Sequence, residues 1–399
     1  MERRWSFGLL ALTLMVCASC AGPSLVRPHA LPGPVATPSG PPSGTPTTHE
    51  PGEGRASGPI STLHAPPPPR TPPSIKTLEP GLARLLIVGF AGTSSAQADQ
   101  LGAEGVGGLI FHRSNIVSRT QITDLTAAIR QAAGRPVFLA VDQEPGRVTR
   151  LDGILPALPT PEHIGAVDPP VDSLTMGQQV GRELAGLGFN MDFAPDLDVL
   201  GPPGAYIGDR SYGHDPEVVA AHGVAFMHGL RDGGVMAVIK HFPGHGGVTQ
   251  DSHLVMPVDD RPLSALAVKD LVPFDLAIEQ GAPAVMTDHL LYPRLDPRLP
   301  ASLSPQISGW LLRLKLAFKG LVMTDDLEMG AISSRWSLPQ AVVMAIQAGA
   351  DMALISSDAG AVPSVVAALR SALEDGTLPR ARVAEALAHI DAALRTLAR

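Results

Sequence analysis

Eight short apolar runs, each followed by a longer stretch of helical character, organise the chain from residue 78 to its end. The runs cover residues 84–90, 108–111, 136–141, 190–193, 235–240, 284–287, 320–324 and 351–356. They are continuous rather than alternating. A strand with one wet face alternates, whereas a continuous run fits a parallel strand buried on both faces. Between the runs, apolar positions recur at helical spacing, most clearly over 121–133, 174–187, 217–229 and 382–394. Eight strand–helix units over about 320 residues predict an α/β fold, a single TIM-type (β/α)8 barrel, in preference to a doubly wound sheet. Gly105-Val106-Gly107-Gly108 is too short for a dinucleotide fingerprint, and no phosphate-cradling P-loop is present.

Residues 1–77 read differently. Arg3 and Arg4 precede an apolar stretch over 6–16 that is too short to span a bilayer, which is the pattern of a secretory signal over 1–20. It ends in Cys17-Ala18-Ser19-Cys20, similar to a bacterial lipobox, although Cys17 stands where Leu is usual. Lipidation at Cys20 is the expectation, with ordinary cleavage as the alternative. Residues 21–77 are dense in Pro, Gly, Ser and Thr and predict a disordered linker. The chain's 40 prolines reflect this segment. The expected organisation is therefore a signal over 1–20, a linker over 21–77 and a catalytic domain over 78–399. A soluble domain tethered in the cell envelope follows, with a membrane touched only through the lipid.

Charge and composition narrow the function. A formal net charge of −8 and 4% aromatic residues argue against a nucleic-acid partner, which needs a basic face and stacking platforms. The two cysteines, Cys17 and Cys20, both lie in the signal, excluding a cysteine-ligated zinc site and a disulfide framework.

Polar residues cluster where strands end: Asp142-Gln143-Glu144, Asp196 and Asp198, Lys240-His241, Asp288-His289, and Asp325-Asp326. In a barrel these ends surround the active site. Buried charges after apolar strands are costly unless paired, so five converging ends point to chemistry rather than to a solvated rim. From Lys240 to His253 the chain runs through Pro243, three glycines and Asp251-Ser252-His253, suggesting a mobile flap that ends in an Asp-x-His pair. Three readings compete there. His241, His245, His253 and Asp251 ligate a metal; or the histidines are structural, the preferred reading for His245; or Asp251 and His253 form an acid/base dyad, which also accounts for the glycines. At the seventh strand, successive side chains point opposite ways, so one of the two aspartates faces the axis. Asp325 is the expected nucleophile and Asp326 is expected in local hydrogen bonds.

These segments together carry a resemblance. Asp142-Gln143-Glu144-Pro145-Gly146-Arg147-Val148-x-Arg150, Asn190-x-x-Phe193-Ala194-Pro195-x-x-Asp198-Val199, Ile207-Gly208-x-Arg210-Ser211-Tyr212, the Lys240-to-His253 segment and Asp325 resemble glycoside hydrolase family 3 in its bacterial β-N-acetylglucosaminidase branch. The resemblance spans residue 78 to the C-terminus. It implies that Asp325 forms a covalent glycosyl-enzyme bond, that His253 is the acid/base with Asp251 as partner, and that Asp142, Arg150, Arg210, Lys240 and His241 hold the sugar. The implied substrates are peptidoglycan fragments carrying terminal N-acetylglucosamine (GlcNAc), removed by an exo-acting retaining hydrolase. No metal or other cofactor is expected, and a monomer is the expected state. A β-glucosidase-like hydrolase and a GlcNAc phosphorylase are alternatives within the family. Family members of the glucosidase type usually draw a carboxylate acid from an added domain, for which a chain ending at Arg399 is expected to have no room. A non-enzymatic envelope lipoprotein is the alternative outside it. Two positions depart from the family pattern: Gly247-Val248 where Asp-Thr is usual, and Pro145 where Gly is usual.

Overall fold

The computed structural model describes residues 72–397. The expected signal, Cys20 and nearly all of the expected linker lie outside the described residues. The described chain starts a few residues before the expected domain boundary, with a short helix Ile75–Leu78 whose first turn is capped by Ser74 Oγ, 3.2 Å from the Thr77 amide.

Eight parallel strands close into a barrel in chain order: β1 Leu86–Gly89, β2 Gly108–Phe111, β3 Phe138–Val141, β4 Met191–Asp192, β5 Met236–Phe242, β6 Ala284–Thr287, β7 Leu321–Asp326 and β8 Met352–Ile355, with β8 pairing back onto β1. Every strand residue is buried except Asp325 and Asp326 at the end of β7. That burial on both faces explains why the strands read as unbroken apolar runs. The outer ring is α1 Ala96–Glu104, α2 Arg119–Ala133, α3 Pro170–Gly186, α4 Pro216–Asp232, α5 Leu271–Glu279, α6 Pro305–Lys315, α7 Leu338–Ala348 and α8 Val362–Glu374, followed by α9 Arg380–Leu397.

Local chemistry sets the helix boundaries. Ser118 accepts the Gln121 amide at 3.2 Å to start α2, and Gly134, at φ 58°, ends it. Asp215 accepts the Glu217 amide at 2.9 Å, and Pro216 opens α4. The α3 and α4 backbones meet closely along Gly177, Gly181 and Gly229. A Cβ on Gly181 would come within 2.9 Å of Gly233 Cα, so only glycine permits this approach.

The two barrel ends are built differently. Asp351 enters β8 from the N-terminal end, buried, where Arg313, Arg382 and His389 all bind its carboxylate and the Val322 amide donates to it at 3.0 Å. It ties α6 and α9 to the barrel floor, a structural use of a strand-flanking carboxylate. At the other end the register is irregular beside two strand ends. β5 shifts between Ile239 and Phe242, and β7 shifts between Met323 and Asp326. Such irregularities re-aim side chains.

Candidate active site

The strand ends meet in one cavity of about 370 Å³ at the C-terminal mouth of the barrel. Asp142, Arg150, Arg210, Lys240, His241, His253 and Asp325 all line it, so each expected site residue among the described ones reaches the wall except Asp251, which stands behind His253. Two hollows of about 420 and 410 Å³ lie elsewhere, one among α4, α5 and α6 and one beside the starts of β5 and β6, and neither opens at the strand ends.

The cavity floor is a lattice of alternating charge. The Lys240 ammonium is 3.0 Å from Asp142 Oδ1 and 2.7 Å from Glu144 Oε1. Arg150 donates to Asp142 Oδ2 at 3.1 Å, and Arg210 donates from Nε and Nη2 to the two Glu144 oxygens, both at 2.8 Å. Burial alone would raise Glu144, but Arg210 and Lys240 outweigh it and hold the carboxyl far below its ordinary value. Burial likewise opposes ionisation of Asp142, and Lys240 and Arg150 reverse the balance. Burial works against the Lys240 charge, yet Glu144 and Asp142 raise it above its ordinary value. Lys240 bridges the two carboxylates, with Arg150 on Asp142 and Arg210 on Glu144. Among the described residues Arg210 Nη1 makes no hydrogen bond, which leaves one donor of this guanidinium unused.

Below lies a second set. His241 Nδ1 is 2.7 Å from Asp198 Oδ2, and Asp198 Oδ1 accepts the His245 amide at 2.5 Å. Burial lowers His241 to about 4 and raises Asp198 to about 6. His241 is therefore neutral at pH 7, its Nδ1–H is given to Asp198, and its Nε2 is an acceptor. Asp196, Asp198 and His241 bring ligand atoms within 4.8 Å of one another, the geometry of a possible cation site. Asp196 Oδ2 is buried and accepts no hydrogen bond, whereas Asp198 is fully engaged. Asp198 is filled by His241 and two backbone amides, and Asp196 lies 3.3 Å from Arg210. The metal set considered from sequence, with His253 and Asp251, is not brought together.

Arg210 ties both layers, bonding Glu144 above and approaching Asp196 below. Removing one partner of a buried ion pair strands the other, so Arg210→Ala should lower unfolding free energy by about 3–5 kcal/mol. Urea denaturation followed by circular dichroism tests this; a loss under about 1 kcal/mol would mean that water enters and replaces the guanidinium.

At β7, Asp325 accepts the Asp326 amide at 2.8 Å. Burial pushes its carboxyl up, and the neighbouring His241 and His289 rings, the Asp326 N–H and Lys240 outweigh it, leaving it below its ordinary value. With His241 and His289 both depressed by burial and neutral at pH 7, the N–H and the Lys240 charge sustain the carboxylate there. Asp326 also reaches the cavity wall, which the strict alternation expected from sequence did not allow, because the β7–β8 register slips beside it. Its oxygens are taken by Ser356 and by the Glu328 amide at 3.1 Å, as expected. The β6 end departs more. Asp288 accepts the Tyr292 hydroxyl at 2.6 Å, and His289 bridges Ser302 and the Asp326 carbonyl, both at 2.8 Å. His289 thus buttresses β7, Asp288 donates its amide to the Phe242 carbonyl of β5, and Met286 lines the cavity.

The flap has two halves. Residues 243–248 are largely buried against the β4 end, where a Cβ on Gly246 would strike the Val199 carbonyl. Gly246 thus serves close backbone approach, and Gly244, at φ 137°, sits against the Asp270 side chain. At Gly247 a side chain would run into the paired Arg261 and Asp259 side chains. The second half is exposed and carries the dyad: His253 Nδ1 is 2.8 Å from Asp251 Oδ1, which also accepts the His253 amide at 2.9 Å. It rests on the turn after β7, with the Gly330 and Ala331 amides donating to the His253 and Ser252 carbonyls. His245 sits apart, its Nε2 3.1 Å from Ser252 Oγ, consistent with the structural reading preferred for it.

A Glycosyl hydrolase family 3 N terminal domain matches residues 77–393. The chain belongs to this family. A "Beta-hexosaminidase" of Stenotrophomonas maltophilia is 40% identical over 279 residues, covering 68% of this chain and 83% of that protein. The family 3 β-N-acetylglucosaminidase of Paenibacillus sp. superposes with a TM-score of 0.79 at 36% identity, over 80% of this chain and 62% of the other. The β-N-acetylhexosaminidase of Beutenbergia cavernae superposes at 0.73 with 32% identity, over 79% of this chain and 98% of that one.

Family 3 membership leaves three features of this site that sequence reasoning did not assign. Glu144 is the central anion of the floor, but it follows Asp142 and Gln143 directly and nothing in the spacing marks it as the one that Arg210 and Lys240 would share. Asp198 carries His241, a pairing across 43 positions. Tyr206, in a loop rich in Pro and Gly, reaches His253.

Proposed function

We propose that this chain is an exo-acting retaining β-N-acetylglucosaminidase that removes terminal GlcNAc from peptidoglycan fragments. The observation that carries the reading is a single cavity walled both by an ionised, half-buried Asp325 and by His253 with its Nδ1 engaged by Asp251. Its volume lies at the low end of the ~300–1,000 Å³ range of small-molecule sites, which suits one terminal sugar. The beta-hexosaminidase and β-N-acetylglucosaminidase relatives support the choice of sugar.

In the first step Asp325 attacks the anomeric carbon while His253 Nε2–H protonates the departing oxygen. In the second, neutral His253 takes a proton from water, which attacks the same carbon and frees Asp325. Two inversions give net retention. One imidazole serves both steps because Nε2 gives a proton in the first and takes one back in the second. Asp142, Lys240, Arg150 and the free Arg210 donor bind the hydroxyls, with His241 Nε2 as an acceptor beside them.

The deciding measurement compares an aryl β-GlcNAc with the matching aryl β-glucoside. A kcat/KM preference for GlcNAc of about a hundredfold or more is expected, since a site that binds an amide leaves its own polar groups unpaired with the glucoside. Equal rates or a glucoside preference would reject the GlcNAc assignment. Faster turnover in phosphate than in an inert buffer, with sugar phosphate as product, would mark a phosphorylase.

A further inference from the structure

We propose that Tyr206 is a positioning residue for the flap dyad, its hydroxyl fixing the Asp251 carboxylate and the His253 ring so that Nε2 alone is left for proton transfer. The proposal rests on the reading of His253 as the proton-transfer group.

The Tyr206 hydroxyl is 3.2 Å from His253 Nδ1, an atom already 2.8 Å from Asp251 Oδ1. Three groups thus share one small space. Two of them bring a hydrogen, the phenol O–H and the imidazole Nδ1–H, and the third is a carboxylate that only accepts. The satisfied arrangement sends both hydrogens to Asp251 and fixes the Nδ1–H tautomer. Asp251 reflects this. Slight burial would raise its carboxyl, but the His253 amide and ring, with a smaller contribution from the Tyr206 hydroxyl, hold it below its ordinary value.

Tyr206 is held by the barrel side of the flap. Its amide donates to the Val248 carbonyl at 3.0 Å, and Gly201 donates to Gly246 at 2.9 Å, joining the β4 loop to the buried half of the flap. Arg147 holds the next residue, donating to the Ile207 carbonyl at 2.9 Å. The Tyr206 ring lies 5.7 Å from the buried His245 ring and 6.1 Å from that of His253. The phenol therefore connects a fixed part of the barrel to the exposed half of the flap, where the His253 side chain is 60% accessible. An unsupported Asp-x-His pair on such a segment would spend time in rotamers that aim Nε2 away from the cavity.

Tyr206→Phe keeps the ring and removes only the hydroxyl. We expect kcat on an alkyl β-GlcNAc, a poor leaving group, to fall about five- to tenfold, the scale of one lost hydrogen bond, with KM within about twofold. An activated aryl β-GlcNAc should lose less than about twofold, because it needs little proton donation. In an Asp251→Asn background Tyr206→Phe should add almost nothing, since both act through the same imidazole. The proposal is overturned if the loss is equal for both leaving groups or multiplies fully with Asp251→Asn. It is also overturned if Tyr206→Phe is silent while Tyr206→Ala raises KM, which would make the ring a sugar platform. His253→Ala, run alongside, separates the two levels. If it discriminates between leaving groups and Tyr206→Phe does not, only the role of Tyr206 fails. If His253→Ala itself does not discriminate, the dyad reading fails and this proposal with it.

Discussion

Asp325→Ala is expected to lower kcat by about 10⁴-fold or more on aryl β-GlcNAc while leaving the barrel folded. The carboxylate makes one hydrogen bond within the protein, to the Asp326 amide, and its neighbours Thr324 and Asp326 keep their bonds when it is gone. Asp325 is thus replaceable structurally. Chemically it is not, because Asp326 is spent on Ser356 and Asp142 is held between Lys240 and Arg150. Among the described residues, Asp325 is the cavity carboxylate with neither a cation partner nor a side-chain hydrogen-bond donor. Azide should restore part of the activity by entering the space left by the side chain. One displacement at the anomeric carbon inverts it, so the product should be the α-glycosyl azide. A slow fluorosugar should label the wild-type peptide containing Asp325, as mass spectrometry can read. A label on Asp142 or Asp326 would falsify the assignment, as would a fully active Asp325→Ala.

What the sequence made legible here, and what it hid, follows from the range of the interactions. β2 and β6 run over the residues expected, because Gly107-Gly108 and Pro283 punctuate continuous apolar runs. β5 runs two residues beyond the expected end at Lys240, through His241 and Phe242, since Lys240 and His241 read as a polar strand end but are buried by Asp142 just past β3 and by Asp198 in the loop after β4. Those partners lie 98 and 43 positions away, and no local pattern announces them. The Asp-x-His pair was legible because its bond is local. The close packing of Gly246 on Val199 was not legible, because a glycine needed for backbone contact looks the same in sequence as one needed for motion. Tyr206 carries no local signal. Its significance exists only once the β4 loop and the flap are joined, 47 residues apart.

His253→Ala should separate substrates by leaving group. Protonating the departing oxygen matters most when that oxygen is a basic alkoxide and least when it is an activated phenolate. Alkyl β-GlcNAc should therefore slow by about 10²–10⁴-fold, the usual scale of general acid catalysis, while the glycosylation of an activated aryl substrate changes little. For that aryl substrate the second step becomes limiting, because no base remains to deprotonate water. Azide needs no such base, so it should raise turnover. It meets a glycosyl-enzyme already inverted once, so its product should be the β-glycosyl azide, the opposite anomer to that from Asp325→Ala. The pair of anomers distinguishes nucleophile from acid/base using the same reagent. Asp251→Asn should show a weaker form of the His253→Ala pattern, since the imidazole remains but loses the carboxylate 2.8 Å from Nδ1 that orients it. Should His253→Ala lose the same factor on every leaving group with no response to azide, His253 would bind the sugar or shape the flap, and the proton would have to come from elsewhere in the cavity.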